Sequence, residues 1–399
     1  MFKLILFFVL FIVNVYADDE KIVELDIGEL RGEKHWNGDY YEFYGVPYAT
    51  VPKGRDKFKA PLPVEPWEGI LDAKLHNIGC EQVYLFEEED DDDIILDGVE
   101  DCLAMNFFVP TVASETNLLP VLVYIHSGAY SGGSGNMAKF NYLTRHDVIV
   151  ISFNYRLGFK GFNLAISMGY NNTGKVEDLN EFLLNAQIKD LAVKSKNFFL
   201  TNSTFGLAPC IENVIGNTEP ILTESPLIIF HKGDYKKIPV LTGFSNMEGI
   251  SRTVKFSEWS ELMNEKFEEF LPADLAFDNV KSRDDFIKEI KKHYFKDEEV
   301  SHDTVQEYID YFSDSMFKYA IVKSAKMHAL KSKRPVFLYE FSYVGKLSFK
   351  HYFMEKIKGA SHRDQTAYIL DFFEFTSKTS DMDTRDRMTA MWTDFVKYE

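Results

Sequence analysis

One stretch of this sequence is equipped for chemistry by its backbone more than by its side chains. Residues 119–162 read LPVLVYIHSGAYSGGSGNMAKFNYLTRHDVIVISFNYRLGFKGF. The turn SGAYSGG holds Gly128, Gly132 and Gly133, with Gly135 close behind. Such a turn after a strand can aim several N–H groups at one negative oxygen, which is how an oxyanion hole is built from main chain alone. The same spelling also suits an ordinary strand-to-loop turn in which glycine merely permits positive φ.

Two elements must hold that turn. VLVYIH before it and DVIVISFNYR after it are apolar runs of strand length, and they predict adjacent parallel strands covered on both faces. Further on, Glu248 lies in IPVLTGFSNMEGI, a strand followed by a turn, and His362 in GASHRDQTAYIL. Taken singly, each has an ordinary reading: His362 is one of 10 histidines and Glu248 one of 62 acidic residues.

The bulk composition narrows the partners. The 399 residues are 45% hydrophobic and 15% aromatic, enough for a substantial core and against disorder. Forty-four basic against 62 acidic residues give a net charge of −18, which argues against nucleic acid or an anionic membrane. The first 17 residues, MFKLILFFVLFIVNVYA, read as a secretory signal peptide: one lysine, a short apolar run, and Ala17 before two aspartates. No later segment has the apolar length of a membrane span. Secretion into an oxidising compartment is therefore expected. Asn171 (NNT) and Asn202 (NST) are glycan acceptors if exposed.

Cys80, Cys102 and Cys210 leave an odd thiol. Cys80 and Cys102 bracket a loop with seven consecutive acidic residues, 87–93. A bridge there would lower unfolded-chain entropy by about 3 kcal/mol in the loop-closure model. The acidic run reads as a solvated face, because a metal site needs spaced ligands. No metal or other cofactor is implied. Around these, residues 22–48 predict short antiparallel strands turning at Gly28 and Gly38. KVEDLNEFLLNAQIKDLAVKSK, SEWSELMNEKFEEFL, RDDFIKEIKKHYF and residues 303–331 predict amphipathic helices, and RPVFLYEFSY a strand.

In order along the chain, FYGVPYA, KFKAP, WEG, CEQ, EDCLAMNFFVP, LPVLVYIHSGAYSGGSG and VISFNYRLGFKGF resemble the N-terminal part of type-B carboxylesterases. That family includes cholinesterases, insect juvenile-hormone esterases and the non-enzymatic neuroligins. The resemblance implies an α/β-hydrolase fold, with a mostly parallel central sheet flanked by helices in one domain over residues 18–399. It implies a Cys80–Cys102 disulfide and makes Gly128 and Ala129 the oxyanion donors, in a turn similar to the HGGG-type turn of esterases. It makes Glu248 the triad acid and His362 the triad base, in the Ser…Glu…His order of that fold. Arg363 stands where the family has glycine, next to where substrate comes close. Cys210, in FGLAPCIE, stands where the family has an aliphatic residue and reads as a buried free thiol.

The family pattern breaks after Phe162. The family continues to a strand ending in G-x-S-x-G, which presents the nucleophilic serine and a third oxyanion donor. No G-x-S-x-G occurs in the 399 residues; near misses such as those at Ser134, Ser245 and Ser361 each lack the final glycine. An internal gap near residues 163–175 is therefore expected, removing the nucleophile-elbow strand, and the C-terminal end also stops short of the family's tail. Two readings follow. One is a secreted esterase of small-molecule carboxylic esters lacking an internal segment and inactive as it stands. The other is a catalytically dead binding or adhesion module, the role neuroligins have in this family. Oligomeric state is not legible.

Overall fold

The computed structural model describes residues 19–36, 38–84, 95–157, 168–171, 173, 175–186, 200–204, 208–209, 211–212, 220–349, 357–372 and 379–398. These fall into two compact units, residues 1–198 with Leu370–Phe372, and Phe199–Ile369 with Phe373–Glu399. A single domain was expected from residue 18 to 399.

The first unit is built on a seven-stranded sheet. Its strands are β1 (Glu20–Leu25), β2 (Gly28–Lys34), β3 (Tyr40–Pro47), β4 (Ile70–Asp72), β5 (Ala104–Pro110), β6 (Val121–Ile125) and β7 (Ile149–Phe153), in the order β1-β2-β3-β5-β7-β6, with β4 also paired to β2. The meander β1–β2–β3 is antiparallel, as expected from turns at Gly28 and Gly38, and β5 joins β3 and β7 antiparallel. β6 and β7 pair in parallel with Val121 beside Ile149 and Ile125 beside Phe153, the expected arrangement of the two apolar runs. The sheet of this unit is thus mixed, with the β1–β2–β3 meander antiparallel because short turns can only connect antiparallel neighbours.

One expectation fails here. β7 buries Val150 completely, but β6 is not covered on both faces: Val121, Val123 and Ile125 are 49, 55 and 65% exposed. β6 is the last strand of the sheet, paired on one side only, to β7.

The second unit carries a two-stranded parallel sheet, β8 (Val240–Ser245) with β9 (Val336–Phe341), in register from Val240/Val336 to Ser245/Phe341. Its helices are α2 (Phe256–Glu265), α3 (Val280–Phe295), α4 (Val305–Ser313), α5 (Tyr319–Lys331) and α6 (Thr379–Tyr398); α1 (Val176–Asn185) belongs to the first unit. α3 starts with a capping box, the Asn279 carboxamide accepting from Ser282 N–H and the Ser282 hydroxyl closing it from the other side. The long helix expected over 303–331 is interrupted by one π-turn, Asp314–Lys318, between α4 and α5. Trp259, Met263, Phe270, Phe295, Tyr308 and Phe312 form the core under α2, α3 and α4. Ile250, two residues past Glu248, packs into this cluster, where each buried large apolar side chain contributes roughly 1.5–3 kcal/mol. The helix expected from residue 175 is described to Asn185; its continuation, the acidic run, Cys210, all of residues 1–17 and residues 163–167 of the expected gap lie outside the described residues. Among the described residues no helix is long and apolar enough to cross a membrane.

Candidate active site

The glycine-rich turn is held by buried polar side chains on both sides. Gln82 makes a two-point contact: its carbonyl accepts from Gly133 N–H at 2.7 Å and its NH₂ donates to Gly133 C=O at 3.1 Å. Asn154, just beyond β7, accepts from Gly135 N–H at 2.8 Å and donates to the carbonyls of Ile78 and Cys102. Cys80 and Cys102 are joined by a disulfide, so the segments carrying Gln82 and receiving Asn154 are tied to one another covalently. Ser152 donates to Gly135 C=O at 2.8 Å. Replacing Asn154 by alanine strands the buried Gly135 N–H, while the Ile78 and Cys102 carbonyls keep their bonds from Asn136 and Ala104, and should lower stability by about 2 kcal/mol. Urea denaturation of the variant against the unaltered chain measures this.

Within the turn, Gly128, Ala129 and Tyr130 have φ of 127°, 51° and 60°. Two non-glycine residues in the left-handed region cost of order 1–3 kcal/mol each, an expense proteins concentrate at functional turns. An HGGG-type turn has glycine where Ala129 stands, and this positive φ is the reason. Gly128 is exposed and Ala129 half-buried. Among the described residues neither N–H donates to another protein group, so both are available to an external acceptor.

His126 lies at the start of this turn, 3% exposed and stacked on Tyr155 at 4.2 Å, while Tyr155 donates to His126 C=O at 2.8 Å. Its Nδ1 is 2.9 Å from Ser127 C=O, which makes Nδ1 the protonated nitrogen, and its buried Nε2 has no partner. Burial depresses its pKa, only partly opposed by the Ser127 carbonyl. The folded chain therefore binds fewer protons at His126 than the unfolded one. Stability should be insensitive to this group above the ordinary histidine range and be lost as pH falls below about 6.5, by up to about 1.4 kcal/mol per pH unit. Urea midpoints from pH 8 to 5.5 should fall more steeply for the unaltered chain than for His126→Gln.

In the second unit, β8 ends at Ser245 and the chain turns into a 3₁₀ stretch, Glu248–Lys255. Glu248 is 3% exposed; one carboxylate oxygen accepts from Ser245 N–H at 2.7 Å and the other lies 2.6 Å from His362 Nδ1. Gly249 donates to the Ser313 hydroxyl at 2.8 Å, and a Cβ on Gly249 would come within 2.1 Å of Ile309 C=O, so only glycine lets the acid turn sit this close to α4. The histidine loop is fixed by Asn246, whose carbonyl accepts from Ala360 N–H at 2.7 Å, and by Met247 N–H donating to Ala360 C=O. Fully buried Asp364 accepts from Ser361 N–H, Phe349 N–H and the Ser348 hydroxyl. The His362 side chain is 37% exposed, with one flank against Phe317 at 4.8 Å.

With a carboxylate at Nδ1, that nitrogen carries the proton and Nε2 keeps its lone pair, the tautomer a general base requires. Arg363 has φ 69°, which is why glycine is usual there, and its guanidinium lies 5.3 Å over Phe349. Arg252, 1% exposed, bonds Met316 Sδ at 3.1 Å and faces the Phe317 ring; burial lowers its pKa to about 10, partly offset by Tyr308 and Glu248, so it stays cationic at neutral pH.

The three near-miss serines named above are hydrogen-bonded or buried. Ser134 donates to Asn154 Oδ1, fully buried Ser245 donates to Gln365 Oε1, and Ser361 is 4% exposed. The structure thus joins Glu248 with His362, and Cys80 with Cys102. The supporting roles of Gln82, Asn154 and Asp364 are not evident from residue type; only the position of Gln82 in CEQ hinted at one. Of the sequons, Asn171 is exposed and the Asn202 carboxamide accepts from the Thr204 hydroxyl at 2.6 Å.

Comparison with known proteins agrees with this geometry. The model of the Carboxylesterase family matches residues 19–166 and 163–399. Esterase FE4 of Myzus persicae is 26% identical over 483 positions, covering 96% of this chain and 85% of that protein. Since 96% of 399 residues is about 383, about 100 of those positions are occupied in the aphid protein alone. Juvenile hormone esterase of Tribolium castaneum is 23% identical over 508 positions, 97% of this chain and 85% of that protein. The crystal structure of juvenile hormone esterase from Manduca sexta, with OTFP covalently attached, superposes with a TM-score of 0.78 over 95% of this chain and 90% of that one, at 24% identity. That likeness establishes the α/β-hydrolase fold. The two family matches together cover the described residues, and the chain belongs to the carboxylesterase family.

Proposed function

We propose that this chain is a secreted carboxylesterase lacking an internal segment near residues 163–175, and that it does not hydrolyse esters as it stands. The observation that carries the reading is a Glu248–His362 pair at 2.6 Å in a chain with no G-x-S-x-G. In the triad reaction a serine attacks the ester carbonyl, the histidine takes its proton, the carboxylate holds the histidine tautomer, and main-chain N–H groups stabilise the oxyanion. Glu248 and His362 supply the second and third of these, and Gly128 and Ala129 part of the fourth. The bond-forming step has no agent.

Three facts support a missing segment. The family match comes in two pieces meeting at 163–166, the aphid alignment leaves about 100 positions without a counterpart, and β6 ends its sheet with an exposed apolar face. Small-molecule carboxylic esters are the substrate class of a form containing the segment. Residues 1–17 would direct it out of the cell, and Asn171 and Asn202 would be its glycan acceptors.

Sequencing the transcript across codons 164–175 tests the reading. It should reveal an intervening segment encoding G-x-S-x-G. An uninterrupted transcript would sink the reading and favour the dead binding module.

A further inference from the structure

The second unit contains a cavity of about 870 Å³ that ester hydrolysis does not use. Its size is in the range that buries most of a small ligand's surface. Leu271, Leu275, Phe286, Ile290, Val322 and Met327 give it an apolar lining, contributed by the segment before α3, by α3 and by α5. Three lysines line it as well: Lys318 in the π-turn, and Lys323 and Lys326 on α5. Lys318 pairs with Asp314 at 3.3 Å. Lys323 donates only to a neutral group, the Tyr319 hydroxyl at 3.2 Å, and among the described residues neither Lys323 nor Lys326 has a carboxylate at ion-pair distance. The carboxylates on the lining are Asp274 and Asp314, and Asp314 also accepts from Tyr294 at 2.9 Å. The balance favours an anion.

The π-turn gives this cavity a polar contact of its own. Ser315 lines it, and the Ser315 hydroxyl oxygen is buried without a hydrogen-bond partner. A buried hydroxyl left unmet is unfavourable, so a ligand oxygen there would be recognised. From the same turn Met316 contacts Arg252 and Phe317 contacts His362, so the turn serves the dyad with some residues and the cavity with others. π-turns of this kind recur at functional sites.

We propose that this cavity is a binding site for a long-chain carboxylate, its hydrocarbon tail on the apolar lining and its carboxylate at Lys323 and Lys326. Nothing in this depends on the chain's being inert toward esters.

Fluorescence titration of the full chain with cis-parinaric acid tests it. Saturable binding is expected, displaced by hexadecanoate and at least tenfold less well by hexadecan-1-ol. Lys323→Glu/Lys326→Glu, two substitutions at solvent-accessible positions that leave the core alone, should weaken binding at least tenfold with an unchanged far-UV spectrum and melting curve. Val322→Trp should do the same by filling the cavity. Unsaturable binding, equal displacement by the alcohol, or full affinity in the charge-reversed variant would overturn the proposal. Failure here leaves the reading of a serine-less esterase untouched, whereas ester turnover by the chain would sink that reading and leave this one standing.

Discussion

Mixed with p-nitrophenyl acetate, the purified chain is expected to give no burst of p-nitrophenol. Only a slow linear release, unchanged by an organophosphate, should be seen. Removal of a triad nucleophile costs on the order of 10⁶ in kcat where it has been measured, and the residue left over comes from binding and oxyanion stabilisation. Here even that residue is curtailed, since the family's third oxyanion donor follows the missing serine. His362 can hold a proton at Nδ1 through Glu248, yet among the described residues no serine hydroxyl is bonded to its ring. A rate within tenfold of a competent esterase, abolished by an organophosphate, would show that a nucleophile exists elsewhere.

The second large effect concerns the turn. Gly133→Ala should destabilise the first unit by about 3–5 kcal/mol, the range reserved for steric conflict in a packed site. The residue has φ 112°, and a Cβ would come within 2.4 Å of both His126 Nδ1 and Ser127 C=O. Neither neighbour can retreat: His126 is stacked on Tyr155, and Gly133 itself is clamped by Gln82. Gly54→Ala is the control, since Gly54 also has positive φ (63°) but no atom within 4 Å of its Cβ position. That variant should cost only about 1 kcal/mol, from backbone strain alone. At about 2–4 °C per kcal/mol for a domain of this size, the two melting temperatures should separate by roughly 5–15 °C. Coincident melting curves would mean that the turn is not packed as described.

Much of this was legible in residue order. The parallel pairing of β6 with β7 follows from two apolar runs around a glycine turn, and the β1–β2–β3 meander from alternation between Gly28 and Gly38. The Glu248–His362 contact spans 114 residues and has no local signal; only the resemblance of MEG and GASH to family motifs brought the two together. The clamp of Gln82 and Asn154 on the turn was invisible for a physical reason. An amide side chain reads as a surface residue until the fold shows which buried N–H and C=O it satisfies. β6 misled in the opposite direction. Its composition is that of a strand buried on both faces, while its three outward side chains are about half exposed, because sequence pattern reports the environment a strand evolved for. The π-turn at Asp314–Lys318 was read as plain helix, since one extra residue per turn leaves no compositional trace.

The central claim is that the acid and base of an esterase are present and the nucleophile is not. Intact-mass analysis after incubation with a fluorophosphonate tests it most directly, because such reagents label an activated serine whatever the ester specificity. The account predicts a chain of unchanged mass at reagent concentrations that fully label a competent esterase. A stoichiometric adduct mapped to any serine of this chain, lost in His362→Gln, would contradict it.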